Sequence, residues 1–182
     1  LTVYQYVFYL ENPKQPKKPG SEKLEKPESQ PEVIARVRQH YGDWYKRLPK
    51  ANKQLMERYT MDSHAINSYQ RFPEREWYRP NDPEFTENLD KRISKLKDII
   101  ASSPPLEEPI TVYRGIQAFR HFPEMVKLVK SLQPGTVHED KGFMSTTPIK
   151  SETGLFTMGE DSVVMHIKLP AGTKAAYVGN AH

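Results

Sequence analysis

Apolar residues in the first half of the chain recur every three or four positions, the spacing that places side chains on one face of an α-helix. One such series has five members: Val33, Val37, Tyr41, Trp44 and Leu48. This series predicts a long amphipathic helix that begins near residue 33. Two shorter helices are predicted over residues 51–58 and 62–71.

A fourth helix is predicted from Pro83 to about residue 101. Pro83 suits the first helical turn, because proline lacks the N–H group that this turn leaves unpaired. The residues expected to face inward are again three or four apart: Phe85, Leu89, Ile93, Leu96 and Ile100. The run Ser103-Pro104-Pro105 ends the helix, since proline cannot continue its hydrogen-bond ladder.

The second half of the chain changes to patterns typical of strands. Residues 110–113 are rich in β-branched side chains, and apolar residues alternate with others over 162–169, as in a half-buried strand. Further strands are predicted over 143–146 and 175–178, and a helix over 122–132. Helices therefore come first and strands later, an order that favours the α+β class over alternating α/β.

The first 32 residues differ in composition from the rest. Residues 1–10 are aromatic and β-branched, and we expect them to form the strand-like end of an upstream region. Residues 11–32 contain five Pro, five Lys and five Glu. Such a segment buries too little apolar surface to offset its ordering entropy, and is typical of a linker. The predicted domain therefore covers residues 33–182, as part of a larger polypeptide.

Composition excludes several kinds of chemistry. The chain has 182 residues and no cysteine, which excludes disulfides, thiolate catalysis and cysteine-bound zinc. His121, His138 and His166 lack the spacing of metal ligands. The formal net charge is +4, but no run of Lys or Arg dominates a segment, which argues against a nucleic-acid partner. No apolar stretch approaches the ~20 residues of a membrane span.

Four groups of residues carry chemistry that a ligand can use. Tyr113-Arg114-Gly115 ends a predicted strand, where a guanidinium suits a phosphate and a glycine allows close approach. Asn67 and Arg71 are four residues apart and share one helix face. Gly142–Thr147 holds three hydroxyl residues, and Leu169–Tyr177 contains a Pro-Ala-Gly turn. Taken singly, the four groups equally describe a solvated arginine, a polar helix face, a strand edge and an ordinary turn.

Five short motifs follow one another along the chain: Tyr59-Thr60, Ile66–Arg71, Val112–Gly115, Phe143–Thr147 and Leu169–Thr173. In this order they resemble the Arg-Ser-Glu class of mono-ADP-ribosyltransferases. This is the class of the bacterial exoenzyme toxins, such as the C3-like and the actin-modifying binary toxins. The resemblance covers about residues 33–178, and the joint order of the motifs is more specific than any one of them.

The resemblance implies roles for the polar residues of these motifs. Arg114 would hold the phosphates of NAD, and Gly115 would offer backbone contacts to the nicotinamide amide. Asn67 and Arg71 would contact the diphosphate and the ribose beside it. Arg114 is thus the residue on which the implied NAD site chiefly depends.

Two further residues belong to the implied site. Ser145 would orient the catalytic glutamate, and Phe156 would lie against the nicotinamide ring, although a core aromatic in a loop is an equal reading of Phe156. The family carries Glu-x-Glu or Gln-x-Glu shortly after the strand predicted here at residue 175, and the chain contains no glutamate after that position. The domain is therefore expected to be incomplete at its C-terminus and inactive as it stands.

A fold and an activity are also implied. The fold would pack N-terminal helices on a mixed β-sheet pair with a central NAD cleft. The activity would be transfer of ADP-ribose from NAD, as substrate and without a metal, to a side chain of an unknown target protein, with release of nicotinamide. A toxin of this class would be soluble and would be secreted or delivered into a target cell. Two alternatives stay open: a non-catalytic relative that docks a protein partner, and an unrelated α+β binding module.

Overall fold

Two compact units make up the chain, and each is assembled from separate segments. The computed structural model describes residues 8–11, 30–61, 63–72, 83–117, 123–131 and 140–178. The first unit comprises Leu1–Ile34, Glu108–Glu139 and Ser145–Ala171, and the second comprises Ala35–Glu107, Asp140–Met144 and Gly172–His182. The described strands lie in the first unit, and most of the described helical residues lie in the second.

The helices of the first half of the chain follow the predicted apolar spacing. They are α1 (Gln30–Arg47), α2 (Lys50–Met61), α3 (His64–Arg71) and α4 (Pro83–Ser102). All four predicted helices are therefore confirmed, with ends that shift by a few residues. α1 begins in the first unit, and from Ala35 onward it belongs to the second.

One apolar core holds the second unit together. Its buried members come from all four helices: Tyr41, Trp44, Met56, Ile66, Leu89, Ile93, Leu96 and Ile99. In α4 the last buried residue is Ile99 rather than the predicted Ile100, because three residues after Leu96 already complete most of a turn. Phe85 is 38% exposed, so its predicted inward position is wrong. Phe85 lies one turn before Leu89, the first buried residue of α4.

Three antiparallel strands form the sheet of the first unit: β1 (Phe8–Glu11), β2 (Ile110–Ile116) and β3 (Val163–Leu169), in the order β1-β3-β2. In the central strand β3, Ile167 is fully buried and pairs with Val112 of β2 on one side. The α+β class is confirmed. The described strands form one antiparallel sheet, rather than the mixed sheet pair that was expected.

β1 pairs with the same sheet, although residues 1–10 were assigned to an upstream region. Its Phe8 lies opposite Ile167 of β3, and its Glu11 lies opposite Val164. Residues 12–29, which hold most of the predicted linker, lie outside the described residues. The division into an upstream strand, a linker and a domain that begins at residue 33 stays a prediction.

Two short helical elements lie among the described residues of the first unit. α5 (Pro123–Ser131) confirms the helix predicted over 122–132. A 3₁₀ helix, Lys150–Phe156, was not predicted. Within it, the buried Thr153 donates its hydroxyl hydrogen bond to the Lys150 carbonyl at 2.7 Å. This local bond favours a tight turn over an extended strand.

The strands predicted over 143–146 and 175–178 are wrong. In the first segment the Phe143 N–H is bonded to the side chain of Asn67, so side chains rather than a ladder satisfy this backbone. The second segment is not part of a strand, and the isolated bridge of Lys174 with Pro105 lies just before it. Proline has no N–H with which to extend that pairing.

Candidate active site

Arg114 projects from β2 and binds the segment that contains the predicted serine. Its Nη1 donates a hydrogen bond to the backbone carbonyl of Ser145 at 3.0 Å. The strand itself is held by pairing with β3, where Arg114 lies opposite Met165. The Arg114 side chain is therefore attached to a regular strand, which fixes the position of the guanidinium better than a loop does.

Backbone pairing places Ser145 beside this strand. The Tyr113 N–H donates to the Thr147 carbonyl at 2.7 Å, and the Thr147 N–H donates back to the Tyr113 carbonyl at 2.9 Å. The Thr147 hydroxyl donates to the carboxylate of Glu152 and accepts the Ile149 N–H at 3.1 Å. The main chain two residues after Ser145 is thus fixed to β2, and Ser145 itself keeps an exposed surface.

Gly115 is needed for the close approach of the 3₁₀ helix to β2. A Cβ atom at this position would lie 2.6 Å from the Cβ of Phe156, and 2.9 Å from the carbonyl oxygens of Phe156 and Thr153. Gln117 donates a hydrogen bond to the Leu155 carbonyl at 2.9 Å and holds the end of the same helix. Phe156 as a residue is 58% exposed.

Four of the six predicted site residues are therefore brought together in the first unit: Arg114, Gly115, Ser145 and Phe156. We call them the Arg114 cluster. They combine a planar cation, a strand backbone without a side chain, a hydroxyl residue and an exposed aromatic ring. Such a set suits a ligand that carries both phosphate and a flat ring.

The other two predicted residues belong to a cluster in the second unit. Asn67 is 5% exposed, and both ends of its amide are used. Its Oδ1 accepts the Phe143 N–H at 2.9 Å, and its Nδ2 donates to the Tyr59 hydroxyl at 3.1 Å. Tyr59 in turn donates to the Phe143 carbonyl at 3.2 Å. Two side chains thus hold both backbone groups of Phe143.

Arg71 forms a bidentate ion pair with Asp140. Its Nε and Nη2 donate to the two carboxylate oxygens, each at 2.7 Å, and the side chains are 27% and 14% exposed. Asp140 Oδ1 also accepts the Gly142 N–H at 2.9 Å. We call this arrangement the loop anchor: Tyr59, Asn67 and Arg71 of the helices, bound to Asp140, Gly142 and Phe143.

Sequence reasoning missed two members of the loop anchor as site residues. Tyr59 was named only as part of a motif, and Asp140 was not named. The signal for Asp140 is the glycine two residues later, since aspartate commonly turns the chain by accepting an N–H two positions on. Gly142 gives Arg71 its room, because a Cβ there would lie 3.0 Å from the guanidinium.

In the described part of the chain, no group of three or more His, Asp or Glu side chains could hold a metal ion. Within the same residues no helix combines the length and the apolar character of a membrane span.

The fold is similar to that of ADP-ribosyltransferase toxins. Over 83% of this chain and 76% of the other, it is similar to Plx2a, an ADP-ribosyltransferase toxin from Paenibacillus larvae, with a TM-score of 0.60 and 22% identity. A second similar structure is C3larvin toxin from the same organism, with a TM-score of 0.46 and 22% identity over 75% of this chain and 81% of that one. At these identities the likeness concerns the fold.

The family follows from the sequence match. The family model described as ADP-ribosyltransferase exoenzyme matches residues 37–181, most of the chain. The chain belongs to the ADP-ribosyltransferase exoenzyme family. This confirms the resemblance that the five motifs indicated. A comparison with curated proteins finds no match.

Proposed function

We propose that this chain is the NAD-binding part of a protein mono-ADP-ribosyltransferase. It binds NAD, releases nicotinamide and passes ADP-ribose to a side chain of a target protein. The Arg114 cluster supports this proposal: the Arg114 guanidinium bonds the Ser145 carbonyl, and the neighbouring Gly115 allows the exposed Phe156 to approach the same strand. Membership of the family supports the same chemistry.

Each residue of the cluster takes a part in that reaction. Arg114 holds the diphosphate through its planar fork, and Gly115 offers its backbone to the nicotinamide amide. Phe156 packs against the nicotinamide ring. Ser145 orients the glutamate that the family places after residue 175. For Asn67 and Arg71 the family resemblance implies contacts with the diphosphate and the ribose of NAD.

The transfer breaks the bond between the nicotinamide nitrogen and the ribosyl carbon. Nicotinamide leaves with the bonding electron pair, and positive charge develops on the ribosyl carbon and its ring oxygen. A carboxylate that faces this charge lowers the barrier, because it binds the transition state more tightly than the ground state. The target nucleophile then forms the new bond and loses its proton. By binding NAD in one orientation, the chain would hold the ribosyl carbon in the position from which the reaction proceeds.

The alternative, a non-catalytic domain that docks a protein partner, has no described feature in its favour. A docking surface needs neither the bond from Arg114 to the Ser145 carbonyl nor the glycine under Phe156. The target protein and its modified residue are not defined by the Arg114 cluster. We propose that the target is a protein, and that the transferase reaches it by being secreted or delivered into another cell.

Nicotinamide release tests the proposed activity. It is measured on the 182-residue chain, which contains no glutamate after residue 175 and should bind NAD with little or no turnover, and on a chain extended with the Glu-x-Glu or Gln-x-Glu segment of the family. In the extended chain Ser145→Ala should lower turnover more than NAD affinity, because an orienting residue acts chiefly in the transition state. Equal turnover in wild type and Ser145→Ala would contradict the role given to Ser145.

A further inference from the structure

The 3₁₀ helix of the first unit is tied to β2 at its start by one threonine. The Thr147 hydroxyl donates a hydrogen bond to the carboxylate of Glu152 in the helix, and it accepts the Ile149 N–H at 3.1 Å. The backbone of Thr147 is paired with Tyr113 of β2 by two hydrogen bonds of 2.7 and 2.9 Å. Thr147 therefore connects the first turn of the helix to the strand.

The far end of the same helix is held on both sides of Phe156. Gln117, which follows β2, donates from its Nε2 to the Leu155 carbonyl at 2.9 Å. The hydroxyl and the N–H of Thr157 both donate to the Gly154 carbonyl, at 3.1 and 3.3 Å. The residue before Phe156 and the residue after it thus each have a hydrogen-bond partner.

Burial does not fix the outer side of this helix. Its buried residue is the polar Thr153, whereas Leu155 and Phe156 are 72% and 58% exposed. Hydrophobic packing contributes little to the position of Phe156, because an exposed side chain removes little apolar surface from water. The orientation of this helix end depends instead on its hydrogen bonds and on the close contact with Gly115.

We propose that Thr147 and Gln117 are positioning residues that hold Phe156 in the orientation in which it packs against the nicotinamide ring of NAD. Glu152 is the acceptor through which Thr147 acts on the helix. The inference rests on the proposed function, and it adds to it the residues that fix the aromatic member of the Arg114 cluster. A side chain that is held in its binding orientation raises affinity, because less conformational freedom is lost when the ligand binds.

ADP-ribose separates this role from a general structural one, because it contains the phosphates and riboses of NAD but no nicotinamide. Loss of the bonds at either end of the helix should weaken the binding of NAD and leave the binding of ADP-ribose unchanged. Damage to the fold or to the phosphate site weakens the binding of both ligands. Arg114→Lys is the reference for the phosphate site, since the diphosphate is common to the two ligands.

The experiment is calorimetry with NAD and with ADP-ribose on the 182-residue chain. Phe156→Ala sets the largest effect, about tenfold weaker NAD binding, the loss expected for one aromatic contact. Thr147→Val and Gln117→Met each remove one hydrogen-bonding group at similar size, and each should weaken NAD binding about threefold to tenfold. Thr147→Ser keeps the hydroxyl and should bind NAD as wild type does. Thr111→Val, at an exposed threonine of β2, is the matched control and should bind both ligands normally.

Two further readouts show whether the bonds act through Phe156. When Thr147→Val is combined with Phe156→Ala, NAD binding should be no weaker than in Phe156→Ala alone, because the ring to be positioned is absent. Without ligand, exchange of the Thr157 amide proton reports the end of the helix, since its acceptor is the Gly154 carbonyl. Thr147→Val and Gln117→Met should both speed this exchange.

The outcomes are distinguishable. Equal weakening of NAD and ADP-ribose binding in Thr147→Val and Gln117→Met overturns the inference, and so does wild-type NAD affinity in both variants. A loss in Thr147→Val that adds to that of Phe156→Ala, or a loss in Thr147→Ser as large as in Thr147→Val, overturns it as well. If Arg114→Lys binds both ligands as wild type does, the proposed function itself has failed, whatever the variants of the helix show.

Discussion

Gly115→Ala is the substitution whose effect the structure defines most closely. The added methyl would lie 2.6 Å from the Phe156 Cβ and 2.9 Å from two backbone carbonyl oxygens, of Thr153 and Phe156. These neighbours belong to the backbone or sit directly on it, so no side-chain rotation relieves the overlap. Forced methyl groups in packed sites cost about 1–3 kcal/mol, and the backbone contacts place this site at about 2–3 kcal/mol.

Thermal unfolding measures this cost. For a chain of this length about 1 kcal/mol shifts the midpoint by about 2–4 °C, so we expect a decrease of about 4–12 °C. Gly154→Ala is the matched control, because it lies in the same 3₁₀ helix and a Cβ there has nothing within 4 Å. An unchanged midpoint in Gly115→Ala, with Phe156 still against β2 in a structure of the variant, would refute the packing argument.

Two further substitutions test the helical unit. Gly42→Ala in α1 meets no atom within 4 Å and should stabilise the protein by about 0.5–1 kcal/mol in urea unfolding, since glycine costs a helix entropy; a loss of stability would contradict this. Burial raises the pKa of Tyr41, whose hydroxyl has no hydrogen-bond partner within the described ranges. A pKa raised in the folded state leaves stability intact below the unfolded value of about 10 and removes it as pH rises through the folded pKa. Tyr41→Phe should therefore be neutral or slightly stabilising at pH 7, and it should lose less stability than wild type above about pH 10. Burial also raises the pKa values of Tyr45 and Tyr69, so the variant should keep part of the loss of stability at high pH. A pH profile of stability identical to that of wild type would contradict the role of Tyr41.

The helices could be predicted from the sequence because their signal is local. The spacing of residues such as Leu89, Ile93 and Leu96 requires only that one face of α4 be buried, and the core meets that requirement. The same holds for β3, where the alternation of apolar residues predicted a strand. Ile167 within that strand is fully buried. Even so, the last buried residue of α4 is Ile99 rather than the predicted Ile100, because the helical repeat is not a whole number of residues.

The failures have a non-local cause. Residues 143–146 look like a strand, but the Phe143 N–H is taken by Asn67, 76 residues away in sequence. Arg71 likewise finds its carboxylate 69 residues away. The spacing of Asn67 and Arg71 in the sequence does not predict these partners. The motif order indicated the family, while the hydrogen bonds of these residues depend on tertiary structure.

NAD binding by Arg114 variants is the measurement that tests the account most directly. Calorimetry should show that Arg114→Ala weakens NAD binding about tenfold to a hundredfold, the worth of a charge-assisted bond of about 1.5–3 kcal/mol to phosphate. Arg114→Lys should also weaken it, since lysine keeps the charge but loses the planar fork. Arg92→Ala, an exposed arginine of α4, is the control and should bind as wild type does. Equal NAD affinity in wild type and Arg114→Ala would contradict the account at its central residue.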